Sequence, residues 1–113
     1  MSKPRITIGI PCWNQAEYLP EAIESVLKQT VKPHEIWICN DGSPDETRYV
    51  AAQYSDIKYV EQVNKGLASA RNTILMNSSP DTDFILFLLS SHAEQLAASS
   101  AIIFNVVIKI YIS

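Results

Sequence analysis

"EIWICNDGSPDET", residues 35–47, changes its patterning halfway along. Ile36, Trp37, Ile38 and Cys39 are apolar in succession, as a strand covered on both faces requires. Asn40 to Asp45 then gathers the residues that turn a backbone. Asp41-Gly42 is a turn signal, and Ser43 or Asp45 is placed to accept the free N–H groups of a helix running to about Tyr54. A strand that ends in a polar loop and leads into a helix is the repeating unit of a parallel α/β sheet.

The same unit recurs on both sides. Upstream, "RITIGI" at 5–10 alternates as a strand does and ends at Pro11, while Leu19, Ala22, Ile23, Val26 and Leu27 recur at spacings of three and four within 16–29. Pro20 falls in the first turn of that helix, where its missing N–H is not wanted. Downstream, "IKYVEQ" at 57–62 is a third strand. A third helix carries Leu67, Ala70, Ile74 and Leu75 on its apolar face and is entered at Gly66. "DFILFLL" at 83–89 is a fourth and continuously apolar strand. The expected fold class is therefore α/β, a three-layer sandwich with a mostly parallel sheet and helices on both faces. In such sheets ligands sit outside the carboxyl ends of the strands, near a switch in strand order. The polar residues collect there: Asn14 after the first strand, Asn40 and Asp41 after the second, Asn64, Lys65 and Arg71 after the third.

Length and composition exclude several classes. With 113 residues the chain fits one domain, and 47% apolar content with three glycines argues against wholesale disorder. A net charge of −3 without a run of Lys or Arg gives nucleic acid and polybasic membrane anchoring no footing. Lys3 and Arg5 precede an alternating strand instead of an unbroken apolar run, so a cytoplasmic chain is expected. The most apolar segment, "AIIFNVVIKIYI" at 101–112, contains Asn105 and Lys109 and is too short for a transmembrane helix. It reads as a strand or an edge awaiting a partner. Cys12 and Cys39 are expected as buried free thiols, with no CxxC pattern to suggest redox work.

Neither GxxxxGK[ST] nor GxGxxG occurs. His34 and His92 lack the spacing of a metal cluster, and Glu94 near His92 is a weak ground for a general base. Asp41 can accept hydrogen bonds from a base or from ribose hydroxyls, or it can close an Asx-turn with the following glycine. Trp13 can wall a flat pocket or cover the sheet edge. Arg71 can reach a phosphate or base, or pair with Asp41 or Glu61.

Three segments carry a resemblance. "ITIGIPCWNQAEYLPEAIESVLKQT", "EIWICNDGSPDET" and "QVNKGLASARN" resemble, in order, the opening strand, loop and helix, the Asp-Gly-Ser loop and the Asn-x-Gly-Leu-x-x-Ala-Arg-Asn segment of inverting family 2 glycosyltransferases of the GT-A fold. The likeness implies a nucleotide-sugar-binding half domain over 1–89, a divergent tail over 90–113, and a UDP-sugar as the expected partner. It implies nucleotide-binding roles for Pro11, Trp13, Asn14, Asp41 and Arg71, with Asp41 at the aspartate that recognises the base. Asn40 stands where most members have an aspartate.

The family continues its fourth strand as Phe-Leu-Asp-x-Asp-Asp, whose carboxylates hold Mg²⁺ or Mn²⁺. This chain has "FLLSSH", with Leu89, Ser91 and His92 at the three acidic positions. Leucine supplies no oxygen for a hard cation. The expectation is accordingly no metal site, no cofactor, no catalytic residue and little or no transfer by this segment, since the family's general base lies further along. Surface that a second half would cover implies self-association, as a homo-oligomer. A non-catalytic α/β interaction or oligomerisation protein is the alternative.

Overall fold

The computed structural model describes residues 4–29 and 32–88, and the backbone of residues 107 and 108. The elements are β1 (Ile6–Cys12), α1 (Leu19–Leu27), β2 (Glu35–Asn40), α2 (Thr47–Ala52), β3 (Lys58–Glu61), α3 (Leu67–Asn77), β4 (Phe84–Phe87) and β5 (Val107–Ile108). They build one sheet in the order β3-β2-β1-β4-β5, in which the first four strands are parallel and β5 runs antiparallel beside β4. The mostly parallel sheet expected from the alternation is thus what forms. Of the strand expected within 101–112, residues 107 and 108 are the described part.

Alternation within the strands assigns the layers. Ile10 and Cys12 of β1 and Ile36 and Ile38 of β2 pack with Leu19, Ile23 and Val26 of α1 and Ala51 of α2. Cys39, Ile85 and Phe87 point the other way and pack with Ala70 and Ile74 of α3. Fully buried isoleucines and leucines of this kind each contribute about 1.5–3 kcal/mol. Gly9 lies on the α3 face because nothing larger fits: a Cβ there would stand 2.9 Å from Ile74 Cγ2 and 2.9 Å from Phe87 Cε1.

Pro11 sits inside the central strand, where a proline is usually excluded. Its tolerance follows from the ladder. The Gly9 carbonyl accepts from the Leu88 N–H, so residues 9 and 11 both turn their backbone groups toward β4, and described pairing with β4 stops at Gly9 opposite Phe87. Beyond that point no described strand asks Pro11 for a donor.

Three details differ from expectation. Helix α1 starts at Leu19, since residues 16–18 form a turn in which the Tyr18 and Leu19 N–H groups donate to the Gln15 carbonyl. Helix α2 stops at Ala52, although Tyr54 still packs on the core. Leu67, expected on the buried face of α3, is 40% exposed at its start.

At the amino edge of the sheet the Glu35 carboxylate is buried and accepts from the Ser79 N–H at 2.6 Å, Thr7 Oγ1 at 3.1 Å and Lys58 Nζ at 2.9 Å. Burial works to raise its proton affinity, and the Ser79, Lys58 and Thr7 donors outweigh it, holding the carboxyl below its usual range. The network ties β1, β2, β3 and the turn into β4 at the end opposite the polar loops.

Candidate functional site

The chain steps from β1 through β2 to β3 in one direction, then crosses back through α3 to β4 on the other side of β1. The carboxyl end of β1 therefore stands at the switch in strand order, where a crevice opens in folds of this type. Three polar segments meet there. After β1, Pro11 is buried, Trp13 is 41% exposed, and Asn14 adopts φ +56°, a left-handed conformation that asparagine tolerates. The Asn14 N–H donates to Ser43 Oγ at 2.8 Å and the Asp41 N–H to the Cys12 carbonyl at 3.0 Å, so the loops after β1 and β2 lie side by side.

The loop after β2 is a knot around Asp45. Its carboxylate accepts from the Ala16 N–H at 2.9 Å, the Thr47 N–H at 3.1 Å, Thr47 Oγ1 at 2.6 Å and the Ser43 hydroxyl. Burial alone would raise its proton affinity, and these donors reverse the effect, bringing the carboxyl down to about 2. Of the two candidates for capping α2, Asp45 is the one that binds the Thr47 N–H. Asn40 is also committed: Oδ1 accepts from the Ser43 N–H at 2.8 Å, and Nδ2 donates to the Tyr59 hydroxyl at 2.9 Å. That hydroxyl donates in turn to Glu61, which Arg48 pairs at 2.5 Å.

Asp41 is 1% exposed, and its carboxylate reaches across to the segment between β3 and α3. Oδ1 accepts from Gln62 Nε2 at 2.8 Å and the Lys65 N–H at 2.9 Å. Oδ2 accepts from the Gly66 N–H at 2.9 Å and Asn64 Nδ2 at 3.3 Å. A carboxylate offers about four acceptor sites, and all are used. Helix α3 has glycine at its N-cap and no side-chain cap of its own; Asp41 fixes the chain just ahead of its first turn from a distant strand. Gly42 (φ +66°) and Gly66 (φ +100°) supply the backbone angles that this contact needs.

Gln62 extends the tie, since Nε2 also lies 3.3 Å from Ser69 Oγ and Oε1 accepts from Thr73 Oγ1 at 2.5 Å. Gln62, Tyr59 and Thr73 were not singled out from the sequence. For Gln62 the available signal was a polar residue closing a strand just before a glycine-bearing turn. Arg71 projects from α3, half-buried, and among the described residues it makes no hydrogen bond or ion pair; Glu61 is paired by Arg48 and Asp41 by the loop.

The expected buried thiols are present and face opposite sides of the sheet. Burial pushes Cys12 up to about 12 and Cys39 up to about 11, so neither supplies a thiolate. Among the described residues no three His, Cys, Asp or Glu side chains group to hold a metal ion, and the oxygens of Asp41 and Asp45 are taken by protein donors. The described residues do not fit a divalent cation. Leu89, Ser91, His92 and Glu94 lie outside them. Among the described residues no helix is long and apolar enough to cross a membrane.

A mostly parallel sheet in this order, with polar loops gathered at the carboxyl end of its switch strand, is a doubly wound α/β domain, and its likeness to solved glycosyltransferases makes it one of the GT-A type. Solved structures bear out the fold. Residues 1–349 of TarS from S. aureus superpose with a TM-score of 0.70 at 24% identity, over 86% of this chain and 31% of that one. A mannosyltransferase from Pyrobaculum calidifontis, solved with GDP-Man and Mn²⁺, gives 0.66 at 22% identity, over 87% of this chain and 32% of that one. The family model for glycosyl transferase family 2 matches residues 7–94, and the chain belongs to that family. An uncharacterised glycosyltransferase of Rickettsia prowazekii is 47% identical over 75 residues, 66% of this chain and 24% of that protein. Chondroitin synthase of Escherichia coli is 39% identical over 74 residues, 62% of this chain and 11% of that enzyme. The chain thus spans a quarter or less of these two curated relatives.

Proposed function

We propose that this chain is a nucleotide-sugar-binding segment of a family 2 glycosyltransferase, taking the nucleoside diphosphate of a UDP-sugar against Pro11, Trp13, Asn14, Asp41 and Arg71. The observation that carries the reading is the meeting of the β1, β2 and β3–α3 loops beside the switch strand, with Arg71 left without a described partner. Pro11 and the exposed face of Trp13 offer a flat apolar wall, and the guanidinium of Arg71 offers donors that suit a phosphate or a base edge. TarS has been solved with UDP-GlcNAc, and glucosyl-3-phosphoglycerate synthase of Mycobacterium tuberculosis with UDP and Mn²⁺. Those ligands support the choice of nucleotide.

Transfer by this chain alone is proposed to be weak or absent, because Leu89, Ser91 and His92 stand at the family's acidic positions. A cytoplasmic setting belongs to the same reading, and two buried free thiols suit a reducing compartment. Titration calorimetry with UDP, with and without Mn²⁺, tests it on protein shown to be folded. Saturable binding that Mn²⁺ does not strengthen is expected, together with no turnover of a UDP-sugar. Absence of binding by UDP and GDP refutes the nucleotide site. Mass rising with concentration in that case favours the oligomerisation protein, for which the exposed Val63, Leu67 and Met76 are the apolar surface.

A further inference from the structure

Base recognition at Asp41 has an obstacle, because four donors already fill its carboxylate. They are not equally held. The Lys65 and Gly66 N–H groups belong to the backbone leading into α3 and lie 2.9 Å away. Gln62 Nε2 is fixed at 2.8 Å by a side chain whose other end is anchored on Thr73. Asn64 differs in exposure, in distance and in having its nearer acceptor elsewhere, whereas the second acceptor of Gln62 Nε2, Ser69 Oγ, is the more distant one. Its residue is exposed, its amide is 3.3 Å from Oδ2, and the same Nδ2 group divides itself with the Asp41 carbonyl at 3.1 Å. An exposed side chain leaves a buried acceptor by rotating into water, where its amide is solvated at once.

We propose that the Asn64 carboxamide is a displaceable competitor at Asp41, the donor that a nucleobase replaces, so that Asn64 sets how tightly the site takes its ligand. The inference rests on the nucleotide reading above. It also restricts the base. The vacated acceptor position on Oδ2 suits a ring N–H donor, the imide of uracil or the lactam of guanine. The corresponding ring nitrogen of cytosine is an acceptor and is repelled. The other three donors keep the carboxylate oriented while the exchange occurs, so the β3–α3 segment need not move.

Removing the competitor should strengthen binding by the worth of one lengthened hydrogen bond, about three- to tenfold. The experiment compares UDP, GDP and CDP binding to the wild-type chain and to Asn64→Ala, with urea unfolding to confirm that both are folded. The expected result is UDP or GDP binding about three- to tenfold tighter in Asn64→Ala, with CDP unchanged; the UDP and GDP arms tell which base the site takes. Equal or weaker binding of both in the folded variant, with the wild type still binding, overturns the inference and leaves the nucleotide site standing. If neither protein binds any of the three, the site reading fails and this inference with it. Should the variant not fold, side-chain amide NMR of the wild type during titration decides. Displacement predicts that the Asn64 amide pair shifts more than that of Gln62, and an unmoved Asn64 pair at saturation refutes it.

Discussion

Replacing Gly42 by alanine probes the contact on which the site depends. At φ +66° a side chain incurs left-handed strain of about 1–2 kcal/mol. The new Cβ would also lie 2.6 Å from the Asn64 backbone N and 3.2 Å from its Cα. Backbone cannot rotate aside as a side-chain tip does, so residues 62–66 must retreat from the β2 loop. Retreat of even the outer part weakens the bonds from Lys65 and Gly66 to the Asp41 carboxylate, and hydrogen bonds to a charged group are worth about 1.5–3 kcal/mol each. Strain plus the loss of one such bond gives a destabilisation of about 2.5–5 kcal/mol, a large part of the 5–15 kcal/mol typical of a domain. Gly66→Ala is the matched control. Nothing lies within 4 Å of its added Cβ, so only the backbone penalty of about 1–3 kcal/mol applies there. Urea unfolding measures both, and hydrogen exchange at Lys65 and Gly66 reports the contact itself. A Gly42→Ala protein that loses less than about 1 kcal/mol and keeps protected amides at both positions would show that the loop does not rest on the β2 turn.

Three further outcomes are expected. Asp45, with a folded-state carboxyl near 2 against an ordinary 3.8, binds its proton more readily when unfolded. Its stabilisation is complete above about pH 4 and is lost as pH falls toward 2; allowing for solvent screening it amounts to about 1–2 kcal/mol. Melting curves between pH 5 and 2.5 should show that slope, reduced in Asp45→Asn. Gly9→Ala forces a methyl against Ile74 and Phe87 and should cost about 1–3 kcal/mol by urea unfolding, with a secondary-structure spectrum unchanged in the folded baseline. Cys12 and Cys39, buried and held protonated, should resist a thiol reagent at pH 8 until denaturant is added. Fast labelling of the native protein would contradict their placement.

Local chemistry made the architecture readable in advance. "EIWIC" could hardly be other than a covered strand, and the gathering of Asn14, Asn40, Asp41, Asn64 and Arg71 at strand ends followed once the strands alternated with helices. Long-range pairing was not readable. Nothing in "CNDGS" tells that Asp41 will be filled by donors more than twenty positions later, nor that Asn40 will speak to Tyr59 across a strand pair. Leu67 has the spacing of the buried helix face, but as the first residue of α3 it is left 40% exposed. Nothing beside Glu35 in "EIWIC" marks it as the buried tie of the opposite edge, because its partners Thr7, Lys58 and Ser79 are all distant in the chain.

The central position of β1 has a consequence in time. Ile6 pairs with Phe84, so β1 waits for β4, the last of the four parallel strands, before its second edge is closed. At about 5–20 residues per second that interval of roughly eighty residues lasts about 4–16 s on the ribosome. Through it the nascent chain holds β1 with β2 on one side and a bare row of amides and carbonyls on the other, a template for any extended segment nearby. Slowing of translation before residue 84 should therefore raise aggregation of this chain more than slowing after it, whatever the stability of the finished fold.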